Sequence, residues 1–162
     1  MDSLERLRTL LGVPPDANGR DGFEEAGHRL GIEMPQAVVE VCMLYGDLLI
    51  SDFMFIFGPR VMVKKGLWMS EFVRDGHPVI PGLVLPDVGG MLHWGHSIEG
   101  DKFFLEDRGN GKWTVSVFRR NWGDWCEFDE SIDGWLVGVF GGRTAVEWMP
   151  EWPSSHWFEG TR

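Results

Sequence analysis

The sequence predicts an α+β fold, with amphipathic helices before and after an antiparallel meander of short strands. Three observations carry that reading. Apolar residues recur at helical spacing near the start of the chain and again at 132–140. Between these helices the period shifts to short β-branched and aromatic runs. From residue 91 to 128 such runs follow one another across short turns, which leaves no room for crossover helices and implies a meander. A chain of 162 residues fits one domain, residues 1–162, large enough to bury a core without staples.

The elements follow in order. Leu4, Leu7, Leu10 and Leu11 mark a short amphipathic helix, which Pro14, Pro15 and the polar A-N-G-R-D-G run break into a loop. Asp21 followed by Glu24 reads as a capping-box start. Phe23, Ala26 and Leu30 then share one helical face and Gly31 closes the element. Pro35 opens a third helix, striped by Val38, Cys42 and Tyr45 with Val39 and Met43 beside them, and Gly46 stops it. L-L-I-S-D-F-M-F-I-F reads as one bent strand or two short ones ending at Gly58-Pro59. Val61 to Val63 suggests a further strand, and Leu67 to Asp75 a helix. Pro78, Pro81 and Pro86 make the next stretch extended and irregular. Strands are expected at about 91–95, 102–106, 113–119 and 124–128, with R-G-N-G-K as a hairpin connection. Ile132, Trp135, Leu136, Val139 and Phe140 then fit the helical pattern, with Asp129 or Ser131 to cap its start and Gly141-Gly142 its end. The tail holds Trp148, Trp152, His156 and Trp157. It is too aromatic for a solvated linker, so it packs back on the sheet or forms a contact surface.

Composition narrows the function. A net charge of -10 argues against nucleic-acid binding, which needs a basic face, and permits a steered basic protein partner. No apolar run is long enough to span a bilayer, and the opening M-D-S-L-E-R-L-R lacks the apolar block of a signal peptide. Two cysteines, Cys42 and Cys126, are too few for a disulfide framework or a thiolate site, so a cytoplasmic protein is expected. Nine tryptophans are many for this length, and tryptophan serves as core block or interface anchor.

Catalytic and metal chemistry find little footing. His93 and His96, with Asp101 as a third ligand, would form a metal site only if the chain turned at Gly95, because strand residues three apart face opposite ways. A turn with solvent-facing histidines is the favoured reading, so no metal and no cofactor are expected. Glu24-Glu25, Glu106-Asp107 and Asp129-Glu130 are sequence neighbours, and neighbours rarely face one substrate. Ser51, Ser70 and Ser97 lie in no nucleophile elbow, and neither Gly-rich turn precedes a helix as a phosphate loop must. The chain is expected not to be an enzyme.

E-E-A-G-H-R-L-G-I-E-M-P-Q-A-V-V-E-V-C-M-L-Y-G-D resembles the opening signature of the SUKH superfamily, the Smi/Knr-like domains, with Leu30, Gly31, Met34, Pro35, Tyr45 and Gly46 at the signature places. G-G-M-L-H-W-G-H-S-I-E-G-D is similar to that family's strand and Gly-Asp turn, through Gly90, Leu92, Trp94, Gly95, Gly100 and Asp101. The closing W-C-E-F-D-E-S-I-D-G-W-L-V-G-V-F-G-G resembles its final strand and helix. The likeness covers about 20–142, with the helix at 1–12 and the Trp-rich tail at 143–162 as additions. His93 and the long tail depart from the pattern. The resemblance implies an α+β domain, a mainly antiparallel mixed sheet with flanking helices, and a bacterial immunity protein that binds and neutralises a cognate toxin, often a nuclease. The alternative it offers is a regulatory or scaffold domain for a protein or peptide partner.

N-W-G-D-W-C-E-F-D-E-S-I-D gathers acid and aromatics without Lys or Arg. Such a segment suits a basic partner, since tryptophans desolvate and carboxylates steer. The candidate contact residues are Trp122, Asp124, Trp125, Glu127, Glu130 and Asp133, joined by Trp148 and Trp152 of the tail. The competing reading turns Trp125 and Phe128 inward from a strand and uses Asp129 as a cap.

Overall fold

Helix α1 (Ser3–Leu11) opens the computed structural model, which describes residues 2–15, 21–76 and 80–160. Most of the polar run after Pro15, and Pro78, lie outside the described residues. Asp2 caps α1 by accepting the Glu5 N–H at 2.8 Å, and Leu7 and Leu11 are buried. In α2 (Phe23–Leu30) the capping box is corrected: Gly22, left-handed at φ 98°, is the cap, and no side chain bonds to it. The helix thus begins one residue later than an Asp21 cap requires. Pro35 caps α3 (Gln36–Tyr45), whose Val38, Val41, Cys42 and Tyr45 are fully buried. The Tyr45 hydroxyl donates to Gly12 O at 2.7 Å, tying α3 to the end of α1, and burial pushes its pKa up to about 12.

The apolar run after Gly46 forms two strands, β1 (Leu48–Ile50) and β2 (Met54–Ile56). Ser51 and Asp52 join them with φ of 48° and 58°, and Phe53 N–H donates to Ile50 O. Two successive positive φ values match the twist of a hairpin. The strand expected at Val61 to Val63 is corrected. Gly58-Pro59 does end β2, but Pro59 also begins α4 (Pro59–Arg74). Proline's fixed φ suits the first turn of a helix, and Met62, Val63, Gly66, Met69 and Ser70 bury at helical spacing.

Four strands follow: β3 (Leu92–Ser97), β4 (Lys102–Asp107), β5 (Trp113–Arg119) and β6 (Asp124–Glu127). The β4–β5 turn uses Gly109, Asn110 and Gly111, all at positive φ. Helix α5 (Ile132–Phe140) starts at Ser131, which accepts the Gly134 N–H, while Asp129 bonds Lys112 at 2.9 Å. Ser131, not Asp129, is therefore the cap. The chain then returns as β7 (Phe158–Gly160).

The sheet runs β6-β5-β4-β3-β2-β1-β7, and every named strand pair is antiparallel. The parallel share is one bridge, Val84 to Met91. Helices flank the sheet on both sides. On one face Trp94, Phe103, Val115 and Val117 meet Trp135 and Leu136 of α5, with α1 packed on α5. On the other, Phe104 and Met91 meet Met69 of α4. The N-terminal helix and the tail, additions to the stretch that carries the resemblance, are integral here: α1 covers α5 and β7 extends the sheet at β1. No helix among the described residues is long and apolar enough to cross a membrane.

Candidate partner-binding surface

Strand alternation divides the acidic-aromatic segment between the two sheet faces. The tight turn after Arg119 sets Arg119 opposite Asp124 and Phe118 opposite Trp125. Asp124 thus shares the α5 face with Arg119, and Trp125 falls on the α4 face, where its ring lies 5.7 Å from Phe104. Trp125 and Phe128 do not turn inward together. Phe128, beyond the end of β6, packs 5.7 Å from Trp135 on the α5 face.

Arg119 organises the first group. Its Nε donates to Asp124 Oδ1 at 2.7 Å and its Nη2 to Asp124 Oδ2. The guanidinium lies 4.6 Å from the Trp122 ring centre and 5.7 Å from that of Trp148, with Glu147 at 3.8 Å. A flat, weakly hydrated cation suits both an aromatic face and a carboxylate fork. The hydrogen bond to Arg119 holds the Asp124 carboxyl below its ordinary range, and the same bond raises the Arg119 pKa. Trp122 remains 57% exposed, an aromatic ring mounted on an ordered cation at the end of the sheet.

The second group sits on the α4 face. Trp125 Nε1 donates to Glu127 Oε2 at 3.0 Å, and Arg108 bridges Glu127 and Glu106 at 3.3 and 2.7 Å. Glu106 also accepts from Ser116 Oγ at 2.5 Å. Asp133 accepts from Ser131 Oγ at the start of α5, and Glu130 O accepts the Val115 N–H. The two tail tryptophans are structural anchors as well. Trp148 is buried, and Trp152 donates to Val139 O at 3.0 Å while its ring lies 4.5 Å from Phe140. Of the eight candidates, Trp122, Asp124 and Trp148 meet around Arg119, and Trp125 meets Glu127. Glu130, Asp133 and Trp152 stand apart.

The cations Arg108, Lys112 and Arg119 were missed in the sequence because they precede the acidic segment. Register supplies the signal: a hairpin that turns at N-W-G brings Arg119 onto Asp124. Asp124, Glu127 and Asp129 are therefore paired with cations of the same sheet and its turns while staying partly exposed, and Trp122 is the exposed aromatic beside them.

The histidines are corrected too. Neither is a solvent-facing turn residue: both lie in β3, His93 4% exposed and His96 half-buried. The register slips between His93 and Gly95, a bulge that leaves Trp94 extra. The slip puts His93 and His96 on one face, against Phe57 at 4.9 and 5.6 Å. Asp101 is engaged elsewhere, accepting from Ser97 Oγ at 2.7 Å and Arg120 N at 2.9 Å. Among the described residues no group of three or more His, Cys, Asp or Glu is placed to hold a metal ion.

Fold and surface together define an α+β domain with a seven-stranded antiparallel sheet and an aromatic-charged rim at one end. Compared with known proteins, the chain matches no family model, no curated protein and no solved structure.

Proposed function

We propose that this chain is a non-enzymatic protein-binding domain, an immunity protein of the SUKH kind that acts in the bacterial cytoplasm by binding and neutralising a cognate toxin. The observation that carries the reading is Trp122, more than half exposed yet fixed by its contact with Arg119. A pre-ordered aromatic ring loses little freedom on binding, and such anchors dominate protein interfaces. Glu127 and Glu147 stand near this end of the sheet as partly exposed carboxylates that suit a basic partner face. The motif order from Leu30 to Gly142 supplies the immunity part of the proposal by resemblance.

The test is co-expression with the C-terminal domain of a toxin encoded beside this gene. The expected result is survival of the cells and co-elution of a complex, with Trp122→Ala weakening affinity by about tenfold or more. Complex formation without protection would assign the chain to the regulatory or scaffold domains instead. Death at an unchanged rate with no complex sinks the reading.

A further inference from the structure

On the α4 face, a groove of about 310 Å³ runs between α4 and the β3–β4 hairpin, at the small end of the range for ligand sites (roughly 300–1,000 Å³). Lys65, Lys102 and Arg120 converge on it, and His93, His96 and Trp68 are among the other residues that line it. Arg74, Arg108, Lys112 and Arg119 each hold a carboxylate. Among the described residues no such ion pair reaches Lys65, Lys102 or Arg120. Asp101 is the nearby acid, and both of its oxygens are already taken by Ser97 and Arg120 N–H. Gly100 lets the cations close up: a Cβ there would fall 2.6 Å from Arg120 Cδ.

Two further features describe what the groove fits. His93 is buried, and its Nε2 bonds Gly95 O at 3.1 Å, while its Nδ1 has no partner. A neutral ring that donates from Nε2 leaves Nδ1 as a buried acceptor, so the imidazole adds no charge to the groove. At the rim, Trp68 and Ile98 are 55% and 60% exposed, and Trp68 stacks on Phe72 at 5.3 Å. An apolar shelf beside a cationic floor suits an organic body attached to an anion.

We infer that this groove binds a small phosphate monoester whose organic part carries a ring. A phosphate dianion answers three crowded cations better than a single carboxylate does. The crowding shows in Lys102, whose pKa is lowered by burial and then by Arg120 and Lys65. Burial followed by the Lys102 charge likewise keeps the His93 ring neutral, with its pKa lowered to about 3. The groove lies on the opposite sheet face from Arg119 and shares no lining residue with the partner-binding candidates.

Titration calorimetry at low salt tests the inference with adenosine 5′-monophosphate, glucose 6-phosphate, inorganic phosphate, adenosine and glucose. At least one monoester should bind ten times more tightly than inorganic phosphate, with its unphosphorylated counterpart silent. Lys65→Gln, on the exposed side of α4, and Lys102→Gln should each weaken that binding at least fivefold. Should Lys102→Gln fail to fold, Lys65→Gln and Arg120→Gln at exposed positions carry the test. Silence of both monoesters at millimolar concentration overturns the proposal. So does inorganic phosphate binding as tightly as the esters, or unchanged affinity in the lysine variants.

Discussion

Arg119 reaches across the β5–β6 pair and holds both carboxylate oxygens of Asp124, one through Nε at 2.7 Å and the other through Nη2. The same guanidinium sits against Trp122 and Trp148, so one side chain joins hairpin, turn and tail. The magnitude rests on the aromatic contacts more than on the ion pair, because Asp124 is solvent-facing and water screens it. Arg119→Ala should lower unfolding free energy by about 1–2 kcal/mol through lost cation–π and stem contacts. Arg119→Lys should recover little, since an ammonium cannot reproduce the fork. Urea unfolding followed by tryptophan emission measures both. An alanine variant as stable as wild type would remove Arg119 from this role.

Charge at the rim has a kinetic signature. Glu127 is about half exposed and shared with Arg108, so Glu127→Lys should slow partner association at low salt and leave dissociation nearly unchanged. Asp124→Lys should behave differently, because it also repels Arg119 and loosens the tail. Stopped-flow association at two salt concentrations separates the two. Equal slowing at high and low salt would argue against steering.

Gly95 is the point where backbone sterics decide the sheet. A Cβ there would sit 2.7 Å from Phe55 O and 3.3 Å from Phe103 Cδ2. Gly95→Ala should cost about 1–3 kcal/mol by overpacking, seen as a fall in thermal midpoint of roughly 2–4 °C per kcal/mol. An unchanged midpoint would mean that β2 can yield at no cost.

His93 links stability to pH. Its pKa is lowered to about 3 by burial first, then by Lys102, His96 and Lys65, with its own Gly95 bond opposing them. The unfolded chain takes up this proton near pH 6.5, whereas the folded chain resists until about pH 3. The unfolded state therefore binds more protons in that window. Stability is intact above pH 6.5 and declines as pH falls, by up to ~1.4 kcal/mol per pH unit for one proton. His96 and His156 are shifted the same way by burial and add to the slope. In His93→Phe the decline between pH 6.5 and 5 should flatten. A slope as steep as wild type would assign the effect to the other two.

Regular elements were legible wherever apolar spacing or turn residues carried one meaning. The stripe Ile132, Trp135, Leu136, Val139 and Phe140 gave α5 directly, and the Asn-Gly turn gave the β4–β5 hairpin. Punctuation with two meanings was harder. Gly58-Pro59 ends a strand and starts a helix, and Val61 and Val63 look like strand residues until Met62, Gly66 and Met69 bury beside them. The rim was visible as composition but not as electrostatics, because its cations come from β5 and its turns. His93 and His96 misled for a related reason: a single extra residue at Trp94 reverses the face that spacing assigns.

The pairing of β1 with β7 joins Leu48 to Gly160 and Ile50 to Phe158. During synthesis, β1 and β2 leave the ribosome long before their outer neighbour exists. Until β7 is made, the outer edge of β1 lacks its partner, and such edges invite mispairing between nascent chains. The tail acts as a latch on β1. It bonds β1 through its backbone and sets Trp152 on Phe140, so one short segment covers the β1 edge and part of the core and leaves only the three-residue β7 as the outer strand.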